Sequence, residues 1–165
     1  MKKVFPVQHY EHVARRPFDE VVQAFERAVG SAEGDFTDIV AASHDTAEFE
    51  RLVRAREGSS GFMRFLTADH GMWARLEGME FRAKMYTIGN PLIAMTMLRH
   101  DVGAGLNVPV RVLISEDPTN GTTRVAYDLP SSLMAVLGND ALMEPARALD
   151  AKLIKLAVDV TGSEA

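Results

Sequence analysis

The sequence predicts an α+β protein, a two-layer sandwich with a mainly antiparallel curved sheet and helices packed mostly on one face. Three observations carry that expectation. Residues 108–116 alternate, with Val108, Val110, Val112 and Ile114 on one side and Arg111, Leu113 and Ser115 on the other, and "DPTNG" then turns the chain into residues 122–128. Alternating runs joined by a glycine-containing turn make an antiparallel hairpin, which excludes a purely parallel sheet. Phe18, Val21, Val22, Phe25, Ala28 and Val29 recur at helical spacing. Leu142, Ala146, Leu149, Leu153, Leu156 and Val160 form a longer stripe in alternating steps of four and three.

The elements follow in chain order. Residues 3–10 read as a first strand with Phe5, Val7 and His9 on one face, and Pro6 suits an edge position. Pro17 opens the first helix and Gly30 stops it. Residues 30–44 are weakly patterned and read as a loop. Asp45 followed by Glu48 resembles a capping box for a second helix, buried through Phe49, Leu52 and Val53 and ended by Gly58. Strands are expected over 62–68 and 80–88, a short helix over about 91–101 and a loop over 102–107. The last helix is expected to take its first true turn at Pro145, with residues 139–143 as a separate turn. No repeat or internal boundary interrupts this order, so residues 1–165 are expected to form a single domain.

Composition narrows the function classes. A net charge of −5 argues against a broad nucleic-acid surface and against a polybasic membrane anchor. The absence of cysteine excludes disulfides, thiol catalysis and cysteine-held zinc or iron–sulfur groups. "MKKVFPVQHYEH" has a cationic start with no apolar run behind it, and no segment reaches the roughly 18 apolar residues of a membrane span. The expectation is a cytoplasmic protein with neither nucleic acid nor membrane as partner.

The candidate sites gather at strand ends. At Gly89-Asn90-Pro91 a strand gives way to a helix. Asn90 is a good N-cap, Pro91 fits the first helical position, and Gly89 permits a sharp exit, so the making of a corner explains all three. The same corner exposes helix N-terminal amides, which favour phosphate or carboxylate. A nucleotide reading lacks both the P-loop lysine and G-x-G-x-x-G. Leu92, Ile93, Ala94, Met95, Met97 and Leu98 leave the helix apolar nearly all round, so core, a dimer partner or an apolar ligand must cover several sides. Met95 and Met97 point to different faces and would not grip one metal, and no metal site is assigned.

Arg111 and Arg124 sit on adjacent strands and, with Tyr127 and Asp128, offer a polar patch suited to a planar carboxylate. The plain alternative is cross-strand charge pairing on an exposed face. The candidate ligand-binding set is therefore Gly89, Asn90, Pro91, Met95, Arg111 and Asp128. Asp69-His70 follows a strand and precedes Gly71, which makes it the weak catalytic candidate, weighed against a surface or dimer-contact histidine. Haem ligation through His70 and a methionine would rest on a lone histidine, and the cofactor stays open. His9 and His12 would face opposite sides of a strand and chelate poorly. Ser131 and Ser132 after Pro130 read as helix caps rather than nucleophiles.

Several stretches together carry a family resemblance. They are "RPFDEVVQAFERAVG" (16–30), "GFMRFLTADHG" (61–71), "GNPL" (89–92), "VPVRVLISED" (108–117), "VAYDLPSSLMAVLGN" (125–139) and "ARALDAKL" (146–153). In that order they resemble the domain of unknown function 302 family over most of the chain. The resemblance implies a small α+β sandwich, commonly a homodimer, and no established activity. Its motif residues match at Asp69, Gly89, Asn90, Pro91, Pro109 and Asp128, while His70 stands where only some members have histidine. Residues 31–58 look like an inserted loop and helix relative to shorter members.

A homodimer is also expected from the apolar helix near 92–98 and the stripe at 142–160. The leading functional expectation is a small-ligand-binding or sensory module, which requires a cavity at the 89–95 corner. The alternatives are an enzyme of unassigned class using Asp69 and His70, and a structural or partner-binding dimer.

Overall fold

A computed structural model describes residues 1–163. Its strands are β1 (His9–Ala14), β2 (Gly30–Ser31), β3 (Met63–Asp69), β4 (Ala83–Gly89), β5 (Val110–Glu116) and β6 (Thr123–Asp128). They form one open sheet in the order β1-β6-β5-β4-β3-β2, antiparallel except for the β2–β3 pair. The helices among the described residues are α1 (Phe18–Ala28), α2 (Phe36–Ala42), α3 (Thr46–Arg54), α4 (His70–Ala74), α5 (Pro91–Leu98), α6 (Pro130–Met134) and α7 (Asp140–Thr161). The architecture is the α+β sandwich that the hairpin and the two helical stripes predict.

Side-chain alternation divides the sheet into two unlike faces. Register sets Tyr86 beside Val112 and Ile114 beside Val125. These four, with Ile88 and Tyr127, are buried against Val21 and Phe25 of α1 and Leu149, Leu153 and Leu156 of α7. Each such side chain taken fully from water contributes about 1.5–3 kcal/mol, so this layer is the main source of stability. The other face carries Glu11, Arg111, Leu113 and Arg124 and is far more open. A smaller cluster of Ala32, Ile39, Val53 and Met63 joins α2 and α3 to the β2–β3 edge. There the β3–β4 ladder slips between Arg64 and Leu66, leaving Phe65 as an extra residue in a bulge.

Several local expectations need correction, among them the loop expected over 102–107, which holds a short 3-10 helix (Val102–Leu106). Residues 30–44 are not a loop, since they hold β2 and α2. Asp35 gives α2 no side-chain cap, and the helix is held instead by Ile39 in the small cluster and by Phe36 packed against it. The first strand begins at His9 rather than residue 3, and just ahead of it the Gln8 amide donates to the Ser132 hydroxyl instead of a neighbouring strand. α7 begins at Asp140, with Asn139 accepting from the Ala141 amide, so Pro145 lies inside the helix. The proline forfeits one backbone bond, and burial of Leu142 and Ala146 on either side offsets that loss. Finally, the 142–160 stripe is consumed by the chain's own core, each member at most 3% exposed, so it offers no face for a partner.

Candidate functional site

The β4–α5 corner is built by Asn90, a side chain only 6% exposed. Its Oδ1 accepts from the Leu92 amide at 2.9 Å, while Nδ2 donates to Glu57 Oε2 at 2.6 Å and to the Gly61 carbonyl at 3.0 Å. Pro91 occupies the first helical turn, where a missing N–H costs nothing. Gly89 lies where a Cβ would stand 3.3 Å from Pro109 Cβ and 3.4 Å from the Phe65 ring. These features make the corner tight at the backbone.

Beside it the side chains do not close. A cavity of about 380 Å³ lies between the end of β4, the start of β5, α5 and α7. Phe36, Phe65, Ile93, Ala94, Met97 and Leu149 supply much of its wall. The wall is overwhelmingly hydrocarbon, and the Asn90 donors in it are engaged by Glu57 and Gly61. Gly89, Asn90 and Pro91 border the cavity as expected. Met95 does not line it and is half exposed, whereas Met97 lines it and is wholly buried.

Arg111 and Asp128 stand on the open face, at a second cavity of about 520 Å³ that includes Thr87 and Asn107 and adjoins the first through Pro109 and Val110. Arg124 is not with them, since it binds Asp117 at 2.6 Å. Tyr127 faces the opposite way into the helix layer, stacked on His12 and bonded through its hydroxyl to His12 Nε2 at 2.9 Å. Burial pushes the Tyr127 hydroxyl well above the ordinary tyrosine range and holds His12 below the usual histidine value. His9, across the sheet from His12 as alternation requires, bonds Asp128 at 2.8 Å and lies 3.6 Å from Glu11. The bond to Asp128 raises the His9 pKa.

Asp69 and His70 are neighbours with separate tasks. Asp69 Oδ1 caps α4 by accepting from the Met72 amide at 2.9 Å. His70 stacks on Trp73, ring centroids 5.4 Å apart, along an open groove with Leu76, Met79, Phe81 and Leu113. Among the described residues there is no group of three or more histidine, aspartate or glutamate side chains placed to hold a metal ion. None of the described helices is long and apolar enough to cross a membrane. The serines are not helix caps. Ser132 donates to the Leu129 carbonyl and accepts from the Gln8 amide, and Asp150 of α7 receives the Ser131 amide.

Phe36, Phe65 and Leu149 were not among the site residues expected from sequence. Leu149 is visible only as a member of a core stripe, and Phe36 lies in the weakly patterned segment. They reach the cavity through contacts between elements distant in the chain, for which no local motif exists.

Comparison with known proteins places these features in a family. The profile of the "Domain of unknown function DUF302" matches residues 39–160. A solved structure, "Crystal structure of uncharacterized conserved protein DUF302 from Bacillus stearothermophilus", is similar with a TM-score of 0.66 at 16% identity, covering 92% of this chain and 97% of that one. At that identity the likeness shows the fold. No curated protein matches the sequence. The profile runs from the middle of α2 through nearly all of α7, taking in both strand-to-helix corners and the hairpin, and on that footing the chain belongs to the DUF302 family.

Proposed function

We propose that the protein is a small-ligand-binding module whose corner cavity takes a neutral, apolar molecule. The observation that carries this reading is the cavity of about 380 Å³ with a hydrocarbon wall. Small-molecule sites begin at about 300 Å³, and an apolar cavity of this kind favours an apolar guest over water. An anion is disfavoured, because the Leu92 amide is taken by Asn90 and the Glu57 carboxylate sits beside the same side chain. Native mass spectrometry of freshly purified protein, set against its denatured mass, tests the reading. A stoichiometric extra mass, absent from an Ala94→Phe variant, is the expected result. A bare protein that also fails to bind the neutral dye N-phenyl-1-naphthylamine saturably would remove it.

A second observation favours self-association. Trp73, Leu76 and Met79 are all at least half exposed and line one groove, Leu76 at 86%. An apolar cluster of this kind marks an interaction surface. We read it as the contact between two copies, in line with the homodimers that the family resemblance implies. Sedimentation equilibrium should find a dimer that Leu76→Glu shifts toward monomer; a monomer at every concentration would end the idea. In this reading residues 1–165 act as one domain, which a single cooperative unfolding transition would bear out.

A further inference from the structure

We propose that the open face of the sheet carries a second site, separate from the corner cavity, for a small carboxylate with a hydrocarbon body held by Arg111. Strand register aligns the groups. Thr87 pairs with Arg111, and His9 pairs with Asp128. Leu113 pairs with Ala126 at the end of the β5–β6 ladder, and just beyond it Arg111 and Asp128 line the same cavity. Thr87, Arg111, Asp128 and His9 thus form one polar row over four strands, on the face that α1 and α7 leave uncovered.

The row is paired unevenly. Asp128 is engaged by His9 at 2.8 Å, and the other ring nitrogen of His9 lies 3.6 Å from Glu11. Arg124, further along the same face, is held by Asp117 at 2.6 Å. Arg111 is exposed and, among the described residues, has no carboxylate within 4.0 Å. Its cross-strand counter-ion is already in use. A guanidinium left in this state presents a planar fork of donors that fits a carboxylate with two parallel bonds.

The surroundings set the rest of the ligand. The cavity of about 520 Å³ has Thr87 and Asn107 on its polar side and Leu106, Pro109 and Leu133 on its apolar side. Leu106 is 90% exposed, so a hydrocarbon body laid against it would remove apolar surface from water. Asp128 and Glu11 oppose an anion, and the imidazole between them meets part of that charge. The balance favours a carboxylate seated on Arg111 over a bare inorganic anion, which would gain nothing from the apolar wall.

The test is an amide-resolved NMR titration of the full chain with sodium benzoate, using benzamide as the neutral counterpart. Benzoate should give saturable shifts around Arg111 and Asn107 and at the Arg111 side-chain N–H. Benzamide, and benzoate with Arg111→Gln, should bind at least about tenfold more weakly. Arg111→Lys should recover little, since an ammonium cannot supply the fork. Ala94→Phe, which fills the corner cavity, should leave this binding unchanged, so the two sites stand or fall separately. Absence of saturable shifts, equal binding of benzamide, insensitivity to Arg111→Gln, or shifts confined to the corner cavity would each overturn the proposal.

Discussion

Two corners of this molecule use the same local grammar and come to different ends. At the end of β3, Asp69 accepts from the Met72 amide at 2.9 Å, and at the end of β4, Asn90 accepts from the Leu92 amide at 2.9 Å. Each turns a strand into a helix beside a buried glycine, Gly71 or Gly89. Beyond the first turn they part. α5 packs on α7, and a partly open apolar cavity is left between them and the start of β5. Among the described residues none covers the outer side of α4, so Trp73 stays 59% exposed over a shallow groove. A capped corner is therefore not a cavity in itself; the second layer of packing decides whether one forms beside it.

Substitutions can break or sharpen this contrast. The largest effect is expected at Asn90, where Asn90→Ala removes the cap and leaves Glu57 and the Gly61 carbonyl without their donor. A cost of about 3 kcal/mol in chemical denaturation is expected, and a loss as small as that at Asp69 would erase the distinction. Next come the glycines. A Cβ at Gly71 would meet the Phe81 carbonyl oxygen at 2.6 Å, a backbone clash, whereas at Gly89 it meets Pro109 and Phe65 at 3.3–3.4 Å. Gly71→Ala should cost about 2 kcal/mol, and Gly89→Ala should cost less, measured by thermal unfolding of the two variants side by side.

Asp69→Ala should cost only about 1 kcal/mol, because a cap is all that it removes. If its urea midpoint falls as far as that of Asn90→Ala, Asp69 has a task beyond capping. The smallest effect is expected from acid, which challenges both corners through the sheet they share. His12 is held below its ordinary value of 6.5 by burial, so the unfolded chain takes up its proton first. Its contribution is complete above about pH 6.5 and is lost as pH falls through the depressed folded value. His9 acts in the opposite sense, stabilising below that pH and losing this as pH rises, but it is exposed and screened. Unfolding midpoints of the protein and of His12→Gln between pH 7 and pH 5 should therefore diverge at the acid end; parallel curves would clear His12 of any role.

What the sequence made legible was whatever local chemistry determines. Asn90, Pro91 and Gly89 announce their corner because capping needs only neighbours in the chain. Val110, Val112 and Ile114 announce their face because alternation is geometric, and all three are buried. α2 stayed hidden because its stability comes from Phe36 and Ile39 meeting a distant cluster. Pro145 misplaced the start of α7 because a local penalty was outweighed by burial that only the fold reveals. The cavity was legible as a location and not as a shape: Gly89–Pro91 marked the place, but Phe36 and Leu149 meet there from opposite ends of the chain. The patch expected from Arg111, Arg124, Tyr127 and Asp128 lost two members for a related reason, since alternation turns Tyr127 inward and Asp117 claims Arg124, while Arg111 and Asp128 still share a cavity.

The bulge at Phe65 has a genetic consequence. Removing one residue elsewhere in β3 shifts half the strand by a single step and turns its side chains to the wrong face. Phe65 is the exception, because Arg64 already faces Ile88 and Leu66 already faces the next residue of β4, Thr87. Deleting it would join two segments that are in phase, leaving the ladder regular. What would go is an aromatic wall of the corner cavity and the edge-to-face contact with Phe36, ring centroids 5.2 Å apart. A single codon thus separates the sheet from the cavity beside it: losing it keeps the ladder and removes one wall of the cavity.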